Sequence, residues 1–410
     1  MSFLIPSISD AAELVSSFKE WLDKRNTKKA IQAWREVKFP EVCEQLVMYY
    51  SERQVPLYSY EVASSTTKRV PIYVRPEWLN LSHENLDMVY EPVYHSYKPS
   101  KSQENFLELF QELRRASNET ILWNGRIFRL RSIDNQKGKL HLEFEEGRFF
   151  DSIMCQYLLE HELITAWKTG KQIENWSLEL RDKVAGNSRA IEEFCQQNVA
   201  RIGISNLLLL RSEKNSYFPV VQKRGTLSLA KGFDTVSSGV LDITTTPKAD
   251  FEIRHKVIKE VYEELFDNID VALESRQVDP YFFYGNDGIS DLIKLLDNGG
   301  AVFQITGFCI DLIRIVPEIT TVLIVQDDAY YRRHLGGNGV QFKLNIEYQL
   351  TSQFQIPRKI KNLDQYLLKK LPTDPDSSVS LNGFDPMRWT LPGAFCFYQG
   401  LRRATNSKLL

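Results

Sequence analysis

The sequence has few of the residues that build sulfur or imidazole metal sites, and those few are scattered. Its five cysteines are odd in number and form no C-x-x-C pair: Cys43, Cys155, Cys195, Cys309 and Cys396. This usage excludes a disulfide framework and favours a reducing compartment, so we expect a cytoplasmic location. The six histidines show no ligand spacing such as H-x-x-x-H, which argues against a zinc site.

Long uncharged hydrophobic runs are also missing. The most apolar window, 301–325, is interrupted by Asp311, Arg314 and Glu318. Because a membrane-spanning helix needs about 20 mostly uncharged residues, we expect this window to be buried globular structure. The N-terminus has no basic region followed by an apolar core, so a signal peptide is not expected. A net charge of −2 gives no electrostatic case for nucleic-acid binding.

The apolar content of the sequence is sufficient for more than one hydrophobic core. The 410 residues are 43% hydrophobic and 25% charged, and a chain of this length exceeds what one core usually organises. The pattern of predicted helices and strands changes near residue 197. We therefore predict an N-terminal α+β domain over 1–197 and a C-terminal domain over 198–410.

Hydrophobic periodicity predicts the elements of each half. The helices predicted in the first half lie within 11–25, 28–37, 39–50, 102–117, 154–170 and 188–203. Two alternating runs within 121–153 predict a β-hairpin with its turn at Asn135–Gly138. The strands predicted in the second half lie within 205–213, 215–224, 226–243, 301–313, 320–328 and 341–350, and the helices within 251–276, 290–298 and 362–371. This order is typical of an α+β sandwich rather than a βαβ repeat.

The stretch KEVYEELF concentrates carboxylates on one face of the helix predicted over 251–276. Glu260, Glu263 and Glu264 are spaced i, i+3 and i+4, which places them on one stripe of a helix. A neighbouring stripe is apolar and would anchor the helix to a core: Val257, Ile258, Val261 and Leu265. The carboxylates repel one another unless a cation lies over them. That cation is either a metal ion or a lysine such as Lys256, one turn before Glu260.

With the strands predicted before it, this helix resembles the signature of the Nudix family, G-x5-E-x7-R-E-U-x-E-E-x-G-U, where U is aliphatic. Lys259 matches the Arg, Glu260 the following Glu, and Glu263–Glu264 the paired Glu. Gly239, in SSGVLDI, matches the leading glycine. The resemblance covers roughly 198–400 and implies a Nudix-like α/β/α sandwich in the C-terminal half.

The sequence departs from the family's pattern at four points. Gly239 precedes Lys259 by twenty residues, more than the pattern allows, so TTTPKAD at 244–250 is interpreted as an insertion. Phe251 stands where the earlier Glu is expected, and Phe266 replaces the closing glycine. Lys259 replaces the Arg of the pattern.

The resemblance implies a metal-dependent hydrolase that cleaves the pyrophosphate bond of a nucleoside diphosphate linked to another group. Glu260, Glu263 and Glu264 would then be the catalytic, metal-binding residues, and the cofactor would be Mg²⁺ or Mn²⁺, hard cations that prefer oxygen ligands. The candidates for the general base are Asp250, Glu252 and Glu347. Lys223 and Arg224, at the end of a predicted strand, are candidates to bind substrate phosphates.

Two other functions fit the same residues. A catalytically inactive module of this fold could sense a nucleotide or bind a protein, as the substitutions at Phe251 and Phe266 favour. A purely structural scaffold is the third interpretation. The expected partners are a nucleotide-type small molecule and a second copy of the chain, with no membrane.

Overall fold

The computed structural model describes residues 38–62, 66–94, 108, 124–136, 138–168, 178–197, 201–213, 216–224, 232–266, 279–334 and 386–407. Its α-helices are α1 Phe39–Glu52, α2 Phe149–Lys168, α3 Glu179–Ala185, α4 Ser188–Gln197, α5 Pro247–Asp250, α6 Ile253–Leu265, α7 Asp287–Asn298, α8 Asp328–His334 and α9 Leu391–Asn406. The chain therefore combines helices with the strands below in an α+β arrangement.

The strands are β1 Leu57–Val62, β2 Thr66–Tyr73, β3 Leu86–Tyr94, β4 Arg126–Gln136, β5 Lys139–Arg148, β6 Gly203–Glu213, β7 Ser216–Arg224, β8 Gly232–Thr235, β9 Gly239–Val240, β10 Asp242–Ile243, β11 Ala301–Asp311 and β12 Val316–Val325. They form two sheets. The first has eight strands in the order β1-β2-β11-β12-β6-β7-β8, with β9 paired to β6. The second has the order β10-β4-β5-β3.

Both sheets contain strands from before and after residue 197. In the first sheet, Ile72 of β2 pairs with Asp311 of β11. In the second, β10 pairs with β4, with Asp242 opposite Ile127. The predicted boundary falls between α4 and β6, and both sheets contain strands from each side of it. An N-terminal unit on its own would therefore lack these strand pairings. The division into two domains stays a prediction.

Several predicted elements are confirmed where the structure describes them. The turn of the β4–β5 hairpin lies at the predicted place, and Gly138 there has a left-handed φ of 81°, a conformation that glycine adopts at no steric cost. The strand predicted over 226–243 is instead divided among β8, β9 and β10. Between β9 and β10 the chain passes from the first sheet to the second.

Other predictions fall outside the described residues. These are the helices at 11–25, 28–37 and 362–371, the strand at 341–350, and the helix at 102–117 apart from residue 108. The sequence did not predict α9, which packs across β6, β8, β11 and β12. In the described part of the chain, every helix is too short or too polar to cross a membrane.

Candidate functional site: the α6 charge cluster

The predicted carboxylate helix is α6. Its apolar stripe is buried as expected, with Val257, Ile258 and Val261 at most 1% exposed. The charged stripe is buried as well: Arg254 and Tyr262 are the two residues of the 13-residue helix that are not. Taking charges out of water is costly unless each is paired. The glutamate face of the helix is therefore buried in the protein and not exposed to solvent.

The three glutamates share a face but contact different groups. Glu260 Oε1 lies 2.6 Å from the ammonium of Lys256, one turn earlier on the helix. Glu263 Oε1 lies 3.4 Å from the ammonium of Lys259 in the same i,i+4 relation. Glu264 accepts a hydrogen bond from the backbone N–H of Ser237. The geometry thus directs each carboxylate toward a donor of the chain itself.

A fourth carboxylate, Asp242 of β10, completes the cluster and was missed from the sequence. It accepts a hydrogen bond from the ammonium of Lys256 and lies 3.8 Å from the ammonium of Lys259. The sequence carried a partial signal, because lysines precede both Glu260 and Glu263 by four residues. We call Asp242, Lys256, Lys259, Glu260 and Glu263 the α6 charge cluster.

Mutual pairing shifts the pKa values of Asp242, Lys256 and Lys259 against the effect of burial. Burial alone would lower the pKa of Lys256, but the carboxylates of Asp242 and Glu260 raise it well above its usual value. The pKa of Lys259 is raised in the same way, against the effect of burial, by Asp242 and Glu263. Burial would raise the pKa of Asp242, but the two ammonium groups bring it below its ordinary value. The lysines are therefore cations, and neither is suited to accept a proton at neutral pH.

The backbone before α6 packs against the carboxylates of Glu260 and Glu264. Gly239 of β9 lies against Glu260, and a Cβ at this position would collide with the Glu260 carboxylate. Ser237, whose N–H binds Glu264, has a left-handed φ of 70°. A glycine at position 239 thus has a steric reason: only hydrogen fits between this strand and the Glu260 carboxylate.

The arrangement does not fit a divalent cation. Mg²⁺ requires near-octahedral oxygen ligands at about 2.1 Å and keeps several waters. Where Asp242 and Glu260 converge, the ammonium of Lys256 lies between them. Within the described ranges, no group of three or more His, Cys, Asp or Glu side chains is arranged to hold a metal ion.

The remaining predicted site residues lie elsewhere or cannot be placed. Lys223 and Arg224 belong to β7 and pair with β8, but their side chains are outside the described part of the chain. Asp250 is 1% exposed and accepts hydrogen bonds from the N–H groups of Thr244 and Thr245. Glu252 precedes the first turn of α6, and Glu347 lies outside the described residues. Asp250 thus closes a turn rather than facing a ligand.

Phe251, at the position of the family's earlier Glu, joins α6 to the second sheet. Its ring centroid lies 4.9 Å from that of Phe128, 5.4 Å from Phe144 and 5.7 Å from Tyr90. These partners come from β4, β5 and β3. Phe251 is therefore an aromatic anchor between α6 and the second sheet, at a position where the resemblance predicted a carboxylate.

Aromatic side chains also surround the start of α6. The rings of Tyr281, Phe283 and Tyr284 lie 5.1, 5.1 and 6.1 Å from the ring of His255. Phe283 is buried, whereas Tyr281 is 47% exposed. The partly exposed ring of Tyr281 can stack on a planar ligand.

Neither a comparison with models of known protein families nor one with curated proteins finds a match for the chain.

Proposed function

We propose that the chain is a catalytically inactive module of Nudix-like fold that senses a nucleotide-type ligand without cleaving it. The observation that carries the proposal is the ammonium of Lys256 between Asp242 and Glu260. Support for the fold comes from the element order: β6, β7 and β9 precede α6, and the β11–β12 hairpin follows it. Strand β12 then lies parallel to β6 in the same sheet.

The lysines explain why cleavage is not expected. Metal-assisted hydrolysis needs a divalent cation that polarises the phosphate and lowers the pKa of a bound water. An ammonium carries one charge and has no coordination position for a nucleophilic water. Lys256 also cannot serve as a base, because its pKa is well above the ordinary lysine value despite the opposing effect of burial. Phe251 further removes one of the acids that the family's pattern supplies.

Support for a nucleotide-type ligand is the exposed ring of Tyr281, with Tyr284 at 5.2 Å between centroids. A base could stack on this edge, since aromatic stacking on a nucleobase contributes about 1–3 kcal/mol. Lys223 and Arg224 remain predicted phosphate contacts. A homodimer remains a further prediction.

The hydrolase is the competing proposal and retains Glu260, Glu263 and Glu264 as ligands of Mg²⁺ or Mn²⁺. It requires that the Lys256 ammonium leave Asp242 and Glu260 when the metal enters. This would break the buried ion pairs that Lys256 makes with Asp242 and Glu260, at considerable cost. The two proposals therefore differ in whether a divalent ion affects the protein at all.

The test is a panel of nucleoside diphosphate derivatives, measured by calorimetry with EDTA and again with Mg²⁺ or Mn²⁺, with products resolved by chromatography. We expect at least one ligand to bind equally in both conditions, with no product formed. Tyr281→Ala should weaken that binding, whereas Val89→Ala, at an exposed position on β3, should not. Metal-dependent product formation would support the hydrolase instead. Absence of both binding and turnover would leave the structural scaffold.

A further inference from the structure

We infer that His255 is the residue that hydrogen-bonds the base of the ligand, a planar nitrogen heterocycle whose ring stacks on Tyr281. The inference rests on the proposed function, because it assigns the side chain that would recognise the base of a nucleotide-type ligand. His255 is the third residue of α6 and is not a member of the α6 charge cluster.

The first support is that the hydrogen-bonding capacity of His255 is unused. The residue is 2% exposed, and within the described residues neither of its ring nitrogens has a hydrogen-bond partner. Buried polar groups are nearly always paired, because an unpaired one loses its hydration without a replacement. A ligand that carries donors or acceptors at its edge would supply a missing partner.

The second support is an aromatic enclosure with one accessible wall. The rings of Tyr281, Phe283 and Tyr284 surround the imidazole of His255. Phe283 is 1% exposed and is also held by the ring of Tyr262, at 5.7 Å between centroids. Tyr281 is 47% exposed and meets His255 edge to face, with 78° between the ring planes. A rotation of Tyr281 toward solvent would therefore give a ligand ring access to the imidazole while Phe283 stays in place.

The third support is the charge state of the imidazole. Burial lowers the pKa of His255 below its ordinary value; the carboxylate of Asp250 opposes this effect, and the ammonium groups of Lys259 and Lys256 add to it. The imidazole is therefore neutral at physiological pH and offers no positive charge to a phosphate. Because a neutral imidazole adopts either tautomer, the nitrogen that faces the ligand can pair with a donor or an acceptor of a base.

The experiment titrates nucleosides into the full chain carrying ¹⁵N-labelled histidine, whose six residues give few signals. Adenosine, guanosine, cytidine and uridine are added singly, and ribose 5-phosphate is the probe without a base. We expect at least one nucleoside to shift a ring-nitrogen signal of His255, and ribose 5-phosphate to shift none. His255→Phe keeps a ring and removes both nitrogens. It should weaken binding of that nucleoside about tenfold, the effect of one lost hydrogen bond, without lowering the melting temperature.

His83→Phe is the matched control, because His83 is exposed and its ring lies beside that of Phe303, at 5.9 Å between centroids; it should bind the nucleoside like the wild type. Nucleoside binding that leaves the His255 signals in place would overturn the inference, as would unchanged affinity in His255→Phe. A large fall in the melting temperature of that variant would also overturn it, since the imidazole would then have a structural role. If His255→Phe is insoluble, His255→Gln assigns the signal and the wild-type titration decides.

The same titrations separate this inference from the proposed function. Nucleosides that bind at His255, together with nucleoside diphosphate derivatives that do not bind, would remove the proposed function and keep the inference. Nucleotide binding that leaves His255 unaffected would do the reverse. Absence of binding by all of these probes would overturn both.

Discussion

Two of the buried charge clusters among the described residues differ in what their cations contact. In the α6 charge cluster, cations face carboxylates. In the second cluster, Arg181 on α3 donates mainly to backbone carbonyls: those of Leu312, Ile313 at 2.8 Å and Leu159 at 3.3 Å. It also donates to the hydroxyl of Tyr50 at 3.1 Å, while Glu162 is more distant, with 3.9 Å between Arg181 Nε and Glu162 Oε2.

The difference follows from what each cluster must satisfy. Leu312, Ile313 and Ile315 form the buried turn between β11 and β12 and are fully buried, so their carbonyls have no access to water and need donors. Ile315 has a φ of 56°, which is rare for a β-branched residue. Arg181 supplies the donors with a planar fork that an ammonium lacks. One cluster therefore balances charge, whereas the other matches the positions of several hydrogen-bond acceptors, for which the planar guanidinium of arginine is suited.

The largest expected effect comes from breaking the second cluster. Arg181→Met should lower the free energy of unfolding by about 3–5 kcal/mol, because it leaves several buried carbonyls without their donor and the buried Glu162 without its nearby cation. Arg181→Lys should recover only part, since one ammonium cannot reach all the carbonyls. Urea denaturation measures both. Arg189→Met should be silent, because Arg189 is 87% exposed and pairs with Glu193. Full stability of the Lys variant would refute the geometric distinction between the clusters.

The next effect tests whether Glu264 belongs to the fold or to catalysis. Glu264→Gln keeps the side-chain volume but replaces a charge-assisted hydrogen bond from Ser237 N–H by a neutral one. We expect a loss of about 1–2 kcal/mol in urea denaturation, with the fold retained. Glu193→Gln, at a partly exposed position, is the control. If the hydrolase proposal were right, the same change would also abolish metal-dependent turnover.

A third change disturbs the α6 charge cluster sterically instead of electrostatically. Gly239→Ala places a methyl group against the Glu260 carboxylate and should displace it from Lys256, at a cost of about 1–3 kcal/mol. Adding Glu260→Asp, which shortens the side chain, should recover part of this, so the double-mutant cycle should show coupling. Gly285→Ala is the matched control, because a Cβ there meets no atom within 4 Å. Simple additivity would show that Gly239 and Glu260 do not interact.

These two clusters also show which parts of the molecule could be predicted from sequence. The helix α6 and its shared glutamate face follow from periodicity, because helical neighbours are three and four residues apart. The ion pairs of Glu260 and Glu263 are equally local, and the i,i+4 spacing therefore indicates Lys256 as a partner of Glu260. Asp242 lies fourteen residues before Lys256 on a strand of only two residues, which periodicity cannot resolve.

No pattern in the sequence predicts that Arg181 is buried or which groups it contacts. Its carbonyl partners at Leu312 and Ile313 are 131 and 132 residues away, and a backbone carbonyl has no identity in the sequence. The boundary predicted near residue 197 rests on local sequence patterns in the same way. Such patterns do not reveal long-range strand pairings such as β2 with β11 and β10 with β4.

The smallest expected effect comes from a more exposed pair, His141 of β5 with Asp87 of β3. The Nδ1 of His141 lies 2.8 Å from Asp87 Oδ2, and its Nε2 lies 3.4 Å from Glu143 Oε1. The hydrogen bond to Asp87, assisted by Glu143, raises the pKa of His141 above its ordinary value. Because the folded pKa is the higher one, the stabilisation is complete below the unfolded value, about 6.5, and is lost as the pH rises through the folded pKa.

The size of this contribution should be about 0.5 kcal/mol, since Asp87 is largely exposed and solvent screens the pair. His141→Gln should therefore lower the free energy of unfolding at about pH 5.5 and leave it nearly unchanged at about pH 8.5. Urea denaturation of both chains at the two values measures the difference. The α6 charge cluster should show no such dependence in this window, because the pKa values of its lysines are raised and that of Asp242 is lowered. A His141→Gln penalty that grows toward high pH would reverse the sign and show that the neutral imidazole, not the cation, stabilises this pair of strands.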